Sequence, residues 1–151
     1  GSDDIDRLVL LPRDNRTLYL YWNITKERKQ MAEDHFHINW MDLPKAIRMY
    51  DVTKIDFNGD DANYYWDMDP GQSAVHAFVY GITPNCFYCA DYGVIEQPEK
   101  FVTLLRSSAV KTPPGDSMNS TTSPKFVSYE QYVQSEPEWL SKFTGYSLTN
   151  R

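Results

Sequence analysis

The chain has 151 residues, one domain's worth plus a tail, and is long enough to bury a core without disulfides or metals. Aromatic residues are 15% of it, with 11 Tyr and 4 Trp, which favours β-structure over a Leu/Ala helical bundle. A net charge of −6 disfavours nucleic acid and anionic lipid as partners, and no apolar run is long enough to span a bilayer or act as a leader.

The first strand is predicted from Leu8 to Asp14, with a turn before Thr17. Thr17 to Ile24 then alternates, setting Leu18, Leu20, Trp22 and Ile24 on a core face and Tyr19 and Tyr21 outward. Thr25 reads as an N-cap, followed by a short helix to about Phe36 that crosses between sheets. Ala46 to Thr53 is the next strand, Asn58-Gly59 a hairpin turn, and Ala62 to Trp66 the return strand. Ser73 to Gly81 and Cys86 to Ile95 are expected to pair around Thr83-Pro-Asn85, and Phe101 to Ser108 closes the set. About seven closely spaced short strands predict an all-β, immunoglobulin-like antiparallel sandwich. No inter-sheet disulfide is available, so Trp22 would be its unaided core aromatic.

Residues 3–114 are assigned to the sandwich and 115–151 to a linker and docking segment. From Thr112 to Pro124 the composition is Pro, Gly, Ser, Thr and Asn, too polar to order itself. Phe126 to Val133 and Glu136 to Phe143 carry enough aromatic surface to dock as short helices on the sandwich or on a partner, with Pro137 suited to a first helical turn.

Four short motifs occur in order: Leu11 to Asp14 before Tyr19 to Trp22, Arg48 to Thr53, Pro84-Asn85 with Tyr88 to Gly93, and Arg106-Ser107. Together, over roughly residues 7 to 114, they resemble a widespread bacterial family known only as a domain of unknown function, the DUF 4912 type. The chain departs from the family at Asn15, where proline is commoner, and at Ala77, where tryptophan is. The resemblance implies architecture and no established activity; such domains tend to occur near α-glucan-handling proteins, which hints at a carbohydrate ligand.

The residues that could carry chemistry are polar groups in and beside the strands: Arg13, Asp14, Arg48, Asp51, Asp91 and Arg106. A strand arginine is costly to bury unpaired, so Arg48 and Arg106 should meet carboxylates or an anion. Two readings follow: an internal ion-pair network that fixes register, with Asp14 and Asp51 as arginine partners, or a site for an anion or sugar hydroxyls. Arg48 is expected to be structural, its loss leaving a buried carboxylate unpaired, and the turn residue Arg13 to be exposed. Tyr21, Trp40, Tyr65 and Trp66 offer flat platforms on which sugar rings stack, although Tyr and Trp are also good strand formers.

Cys86 and Cys89 form a Cys-x-x-Cys, but inside a strand they should face opposite ways, roughly 10 Å apart, which fits reduced thiols in a cytoplasmic protein. Asp56, Asn58, Asp60 and Asp67 are spaced somewhat like a calcium loop, yet the glycine is misplaced and the last ligand is not Glu, which favours a solvated turn. His35, His37 and His76 lack a third ligand, and no nucleophile elbow, phosphate loop or nucleotide fingerprint occurs. No catalytic residue, metal or cofactor is therefore assigned. The chain reads as a non-catalytic ligand-binding module, most plausibly for a glucan; the alternative is a protein-interaction domain or homo-oligomer using the C-terminal tail, and an enzyme is disfavoured.

Overall fold

The computed structural model describes residues 5–59 and 61–115. The strands are β1 (Arg7–Asp14), β2 (Thr17–Asn23), β3 (Lys45–Asp51), β4 (Tyr64–Met68), β5 (His76–Tyr80), β6 (Phe87–Gln97), β7 (Lys100–Arg106) and the short β8 (Val110–Lys111). Helix α1 (Lys26–Phe36) and a 3-10 turn at Trp40–Asp42 link β2 to β3. All pairings are antiparallel. One sheet has the order β1-β2-β5, the other β4-β3-β6-β7, with β8 on β6 beyond the end of β7. This is the expected two-sheet sandwich. The C-terminal helical tail lies outside the described residues.

Alternation explains which residues enter the core. Leu8 and Leu10 of β1 and Leu18, Leu20 and Trp22 of β2 pack with Ile47 and Met49 of β3, Tyr88, Ala90, Tyr92 and Val94 of β6, and Leu104 of β7. Each fully buried leucine contributes about 2 kcal/mol from the apolar surface it removes from water. Trp22 sits in the core without a disulfide beside it, packed instead on Tyr92 at 5.8 Å between ring centroids, and Tyr88 is a further fully buried aromatic.

The crossover helix begins where the sequence places it. Thr25 caps it by accepting from the Arg28 amide at 3.1 Å, and His37 ends it in the left-handed conformation at φ 59°. Arg28 is buried: its Nη1 donates to the Leu104 carbonyl at 2.6 Å and its Nε lies 3.1 Å from Asp6. Asp6 in turn accepts from the Thr25 amide at 2.7 Å, so one ion pair ties the helix start to the N-terminal segment and to β7.

Two expected connections are different. β5 and β6 do not pair; β5 bonds to β2 and β6 to β3, so residues 81–86 cross between the sheets. The crossing is held by the Gly81 amide donating to the Arg16 carbonyl at 2.9 Å and by the Tyr88 hydroxyl accepting from the Thr83 amide at 2.9 Å. The latter is the tyrosine-corner arrangement of immunoglobulin-like sandwiches. Nor do Asn58 and Gly59 form a two-residue hairpin: β3 and β4 part at the Asp51–Tyr64 pair, and the described residues between them, 52–59 and 61–63, form a loop. Val52 of that loop is buried with Tyr50 and Cys89, and Ile55, Phe57 and Ala62 pack against them as a second, small core outside the sheet.

Replacing Tyr88 by Phe keeps the ring and removes the acceptor, stranding the Thr83 amide. We expect a loss of roughly 1–2 kcal/mol in urea unfolding; an unchanged midpoint would show that the corner bond is not structural.

Candidate functional site

The outer face of the five-stranded sheet carries a carboxylate where solvent would be expected. Asp91 of β6 points away from the main core yet has no exposed surface. It accepts from the Tyr50 hydroxyl at 2.8 Å, the Thr103 hydroxyl at 2.8 Å, and Arg106 Nε and Nη2 at 2.8 and 2.9 Å. Register makes this possible, because Asp91 lies opposite Arg48 of β3 and Arg106 of β7. Burial, with the adjacent Asp91 charge, raises the Tyr50 hydroxyl far above its usual pKa, so it remains a donor. Burial disfavours the Arg106 cation, but the hydrogen bond and charge of Asp91 outweigh this and hold it protonated.

The loop closes over this pair. Phe57 lies 5.0 Å from the Arg106 guanidinium and 4.5 Å from the Tyr50 ring. Gly59, at φ 105°, passes so near that an added Cβ would sit 2.9 Å from Arg106 Nη2.

Arg48 does not bind Asp91. Its Nε and Nη2 donate to the two oxygens of Asp67, across from it on β4, at 2.7 and 3.0 Å. Its guanidinium also stacks on Tyr65 at 4.2 Å and Phe101 at 4.3 Å. Phe101 reaches across the sheet because Gly93, at a bulge, has no side chain; a Cβ there would lie 2.6 Å from the ring and 2.3 Å from the Val102 carbonyl.

Beside Arg48 opens a cleft of about 330 Å³ lined by Arg48, Tyr50, Gly59, Ala62, Asn63, Tyr64 and Tyr65. Asp51 braces its wall, accepting from the Thr53 amide and from Asn63 Nδ2, each at 3.0 Å. Desolvation pushes the Asp51 carboxyl up, but these donors prevail and hold it below the ordinary carboxylate value.

Of the sequence candidates, Arg48 and Tyr65 line this cleft, and Asp51 and Arg106 bond or pack against its walls. Trp66 does not: alternation along β4 turns it to the core side, stacked on Tyr64 and edge-on to Tyr88, while Tyr65 faces outward. Trp40 sits at the end of α1, its amide bonded to Glu33 and its ring 4.6 Å from Lys45 Nζ. Asp14 and Asp51 are not arginine partners; Asp14 accepts from the Arg16 amide at 2.9 Å and so caps its own turn. Arg13 is exposed, as expected, at the bulge of β1 on the other sheet, 5.0 Å from the Phe78 ring, with Tyr21 on that same outer face. Asp67, Phe57, Phe101 and Asn63 complete the site; the sequence reading has Asp67 only as a solvated turn carboxylate, and nothing local pointed to these pairings because the partners are distant in sequence.

A family model described as "Domain of unknown function (DUF4912)" matches residues 4–123. The chain belongs to this family. The DUF4912 domain is also similar to a solved structure, the FN5 domain of Drosophila Lar, at 14% identity and a TM-score of 0.45, covering 73% of this chain and 96% of that one. No curated protein matches the chain. Among the described residues, no helix is long and apolar enough to cross a membrane, and no group of three or more His, Cys, Asp or Glu could hold a metal ion.

Both cysteines of this DUF4912 domain are free and face opposite ways, Cys86 toward the main core and Cys89 toward the outer cluster. Burial and the Asp91 charge push the Cys89 thiol up to about 12, and it donates to the Ser107 carbonyl at 3.2 Å. Since the folded value lies above the ordinary 9.0, its contribution to stability is complete below pH 9.0 and declines as pH climbs toward about 12. In the native protein at mildly alkaline pH, iodoacetamide should modify Cys86 and spare Cys89, and unfolding should equalise them. Equal native rates, read by peptide mass spectrometry, would contradict this burial.

The two arginines should differ in cost, and Arg48, expected from sequence to leave a buried charge unpaired, should be the cheaper one to remove. Arg106→Ala strands a fully buried carboxylate and should cost about 3–5 kcal/mol of stability. Arg48→Ala leaves Asp67, whose side chain is 36% exposed, to be hydrated, and should cost about 1 kcal/mol. Chemical denaturation of the two variants checks the order.

Proposed function

We propose that this DUF4912 domain is a non-catalytic carbohydrate-binding module, and that a glucan segment lies in the cleft beside β4. The observation that carries the reading is the Tyr65 ring, 56% exposed, set beside the Arg48 guanidinium and the Asn63 amide in one open cleft. Sugar rings present apolar C–H faces to aromatic rings and hydroxyls to polar rims, so such a lining suits them. The contacts of Arg48 with Tyr65 and Asp67 preorganise that ring, which lowers the entropy cost of binding.

The carboxylates around the cleft support a binding role over turnover. Asp67 is held by Arg48, Asp51 by Thr53 and Asn63, and Asp91 by Arg106, Tyr50 and Thr103. A glycosidase needs one carboxyl free to give a proton and another free to attack or to activate water. The free cysteines suit a reducing compartment, and we place the protein in the cytoplasm on that ground.

Affinity electrophoresis against soluble α- and β-glucans tests the reading. The native protein should be retarded by at least one of them and Tyr65→Ala, still folded, should run free. Absence of retardation with every glucan would sink the proposal, and release of reducing ends would refute its non-catalytic half.

A further inference from the structure

The opposite outer face of the sandwich, on the three-stranded sheet, is an aromatic surface of its own. Register puts Tyr19 beside Phe78, Tyr21 beside His76 and Thr17 beside Tyr80. The rings touch in a continuous run: Tyr21 to Tyr19 at 5.9 Å, Tyr19 to Phe78 at 5.0 Å, and Phe78 to Tyr80 at 6.1 Å. Phe78 and Tyr80 are 37% and 70% exposed, and neighbouring Val75 58%. Such a contiguous apolar patch marks an interaction surface more often than a scatter of single exposed rings does. Among the described residues, β5 pairs with β2 alone, so its other edge is open as well.

We propose that this face is the docking surface for the chain's own segment Phe126 to Phe143. The first support is where the described chain ends. The Pro114 carbonyl accepts from Asn15 Nδ2 at 3.2 Å, and the next residue of that turn, Arg16, accepts from the Gly81 amide at 2.9 Å, directly after Tyr80. The segment beyond Gly115 therefore starts at one end of the aromatic face. Reach is ample, because the linker from Gly115 to Phe126 can span about 36 Å when extended, whereas the seven residues of β2 cover roughly 23 Å.

The second support is chemical complementarity. The segment offers Phe126, Tyr129, Tyr132, Trp139, Leu140 and Phe143, and it carries Glu130, Glu136 and Glu138 against one cation, Lys142. The face carries exposed Arg13, stacked 5.0 Å from Phe78, with exposed Arg16 in the adjoining turn. Aromatic rings meet aromatic rings, and glutamates meet arginines at the rim. This inference is independent of the sugar reading, since the cleft lies on the other sheet.

The test uses the full chain and reads Trp139, whose fluorescence is obtained as the difference from Trp139→Phe. Trp139 should be shielded from acrylamide, and the surface variant Phe78→Ser/Tyr80→Ser should raise its quenching to that of a free indole. The tail variant Tyr129→Ser/Tyr132→Ser should do the same, so the result does not hang on one substitution. Light scattering should give a monomer. Free quenching in the native chain, or shielding that survives both variants, overturns the proposal. A dimer dissolved by these variants overturns it too, since the occupant would then be a second copy's tail. Glucan retardation lost in Phe78→Ser/Tyr80→Ser but kept in Tyr65→Ala would overturn both this proposal and the cleft as the sugar site.

Discussion

The outer half of this domain is organised around one carboxylate that water cannot reach. Asp91 has no exposed surface, so its charge must be met within the protein, and it accepts four hydrogen bonds from the two strands that flank it. Each donor restricts its strand: Tyr50 restricts β3, and Thr103 and Arg106 restrict β7, against β6 in the middle. A slip of one residue would turn Asp91 into the main core and Ala90 or Tyr92 outward. The loop then has to cover the pair, with Phe57 stacked near Arg106 and Gly59 backbone pressed against it, and its far side forms the wall of the cleft.

The arginines of that face consequently have separate tasks. Arg106 neutralises a buried charge and belongs to the scaffold. Arg48 pairs with a partly exposed partner, stacks on two aromatic rings and lines an open cleft, so it is less bound up with the scaffold than Arg106. The sandwich has two outer faces of unlike chemistry: a mixed polar and aromatic cleft on the five-stranded sheet, and an aromatic ladder edged by Arg13 on the three-stranded sheet.

Local pattern determined a good deal. Strict alternation assigned Leu18, Leu20 and Trp22 to the core and Tyr19 and Tyr21 to the surface, and the Thr25 cap set the helix start, because both signals depend on backbone geometry within a few residues. The opposite facing of Cys86 and Cys89 follows from the same period of two. Asn58-Gly59 misled for an equally physical reason: a glycine that admits positive φ also admits close approach, and here it serves the approach of Arg106.

Pairing across sequence distance was decided by the tertiary structure alone. Nothing near Asp91 names Tyr50 or Arg106 as its donors, and nothing near Arg48 favours Asp67 over Asp51 or Asp91. Nor could the sequence show that β5 leaves β6 for the other sheet, since either pairing satisfies the same alternation of faces. The sequence by itself determined the sandwich class, the crossover helix and the in-or-out sense of most strand residues, all properties of short-range periodicity. Which charge meets which, and hence whether an arginine is locked into the scaffold or lines an open cleft, was settled by strand order and register, which depend on every element packing at once.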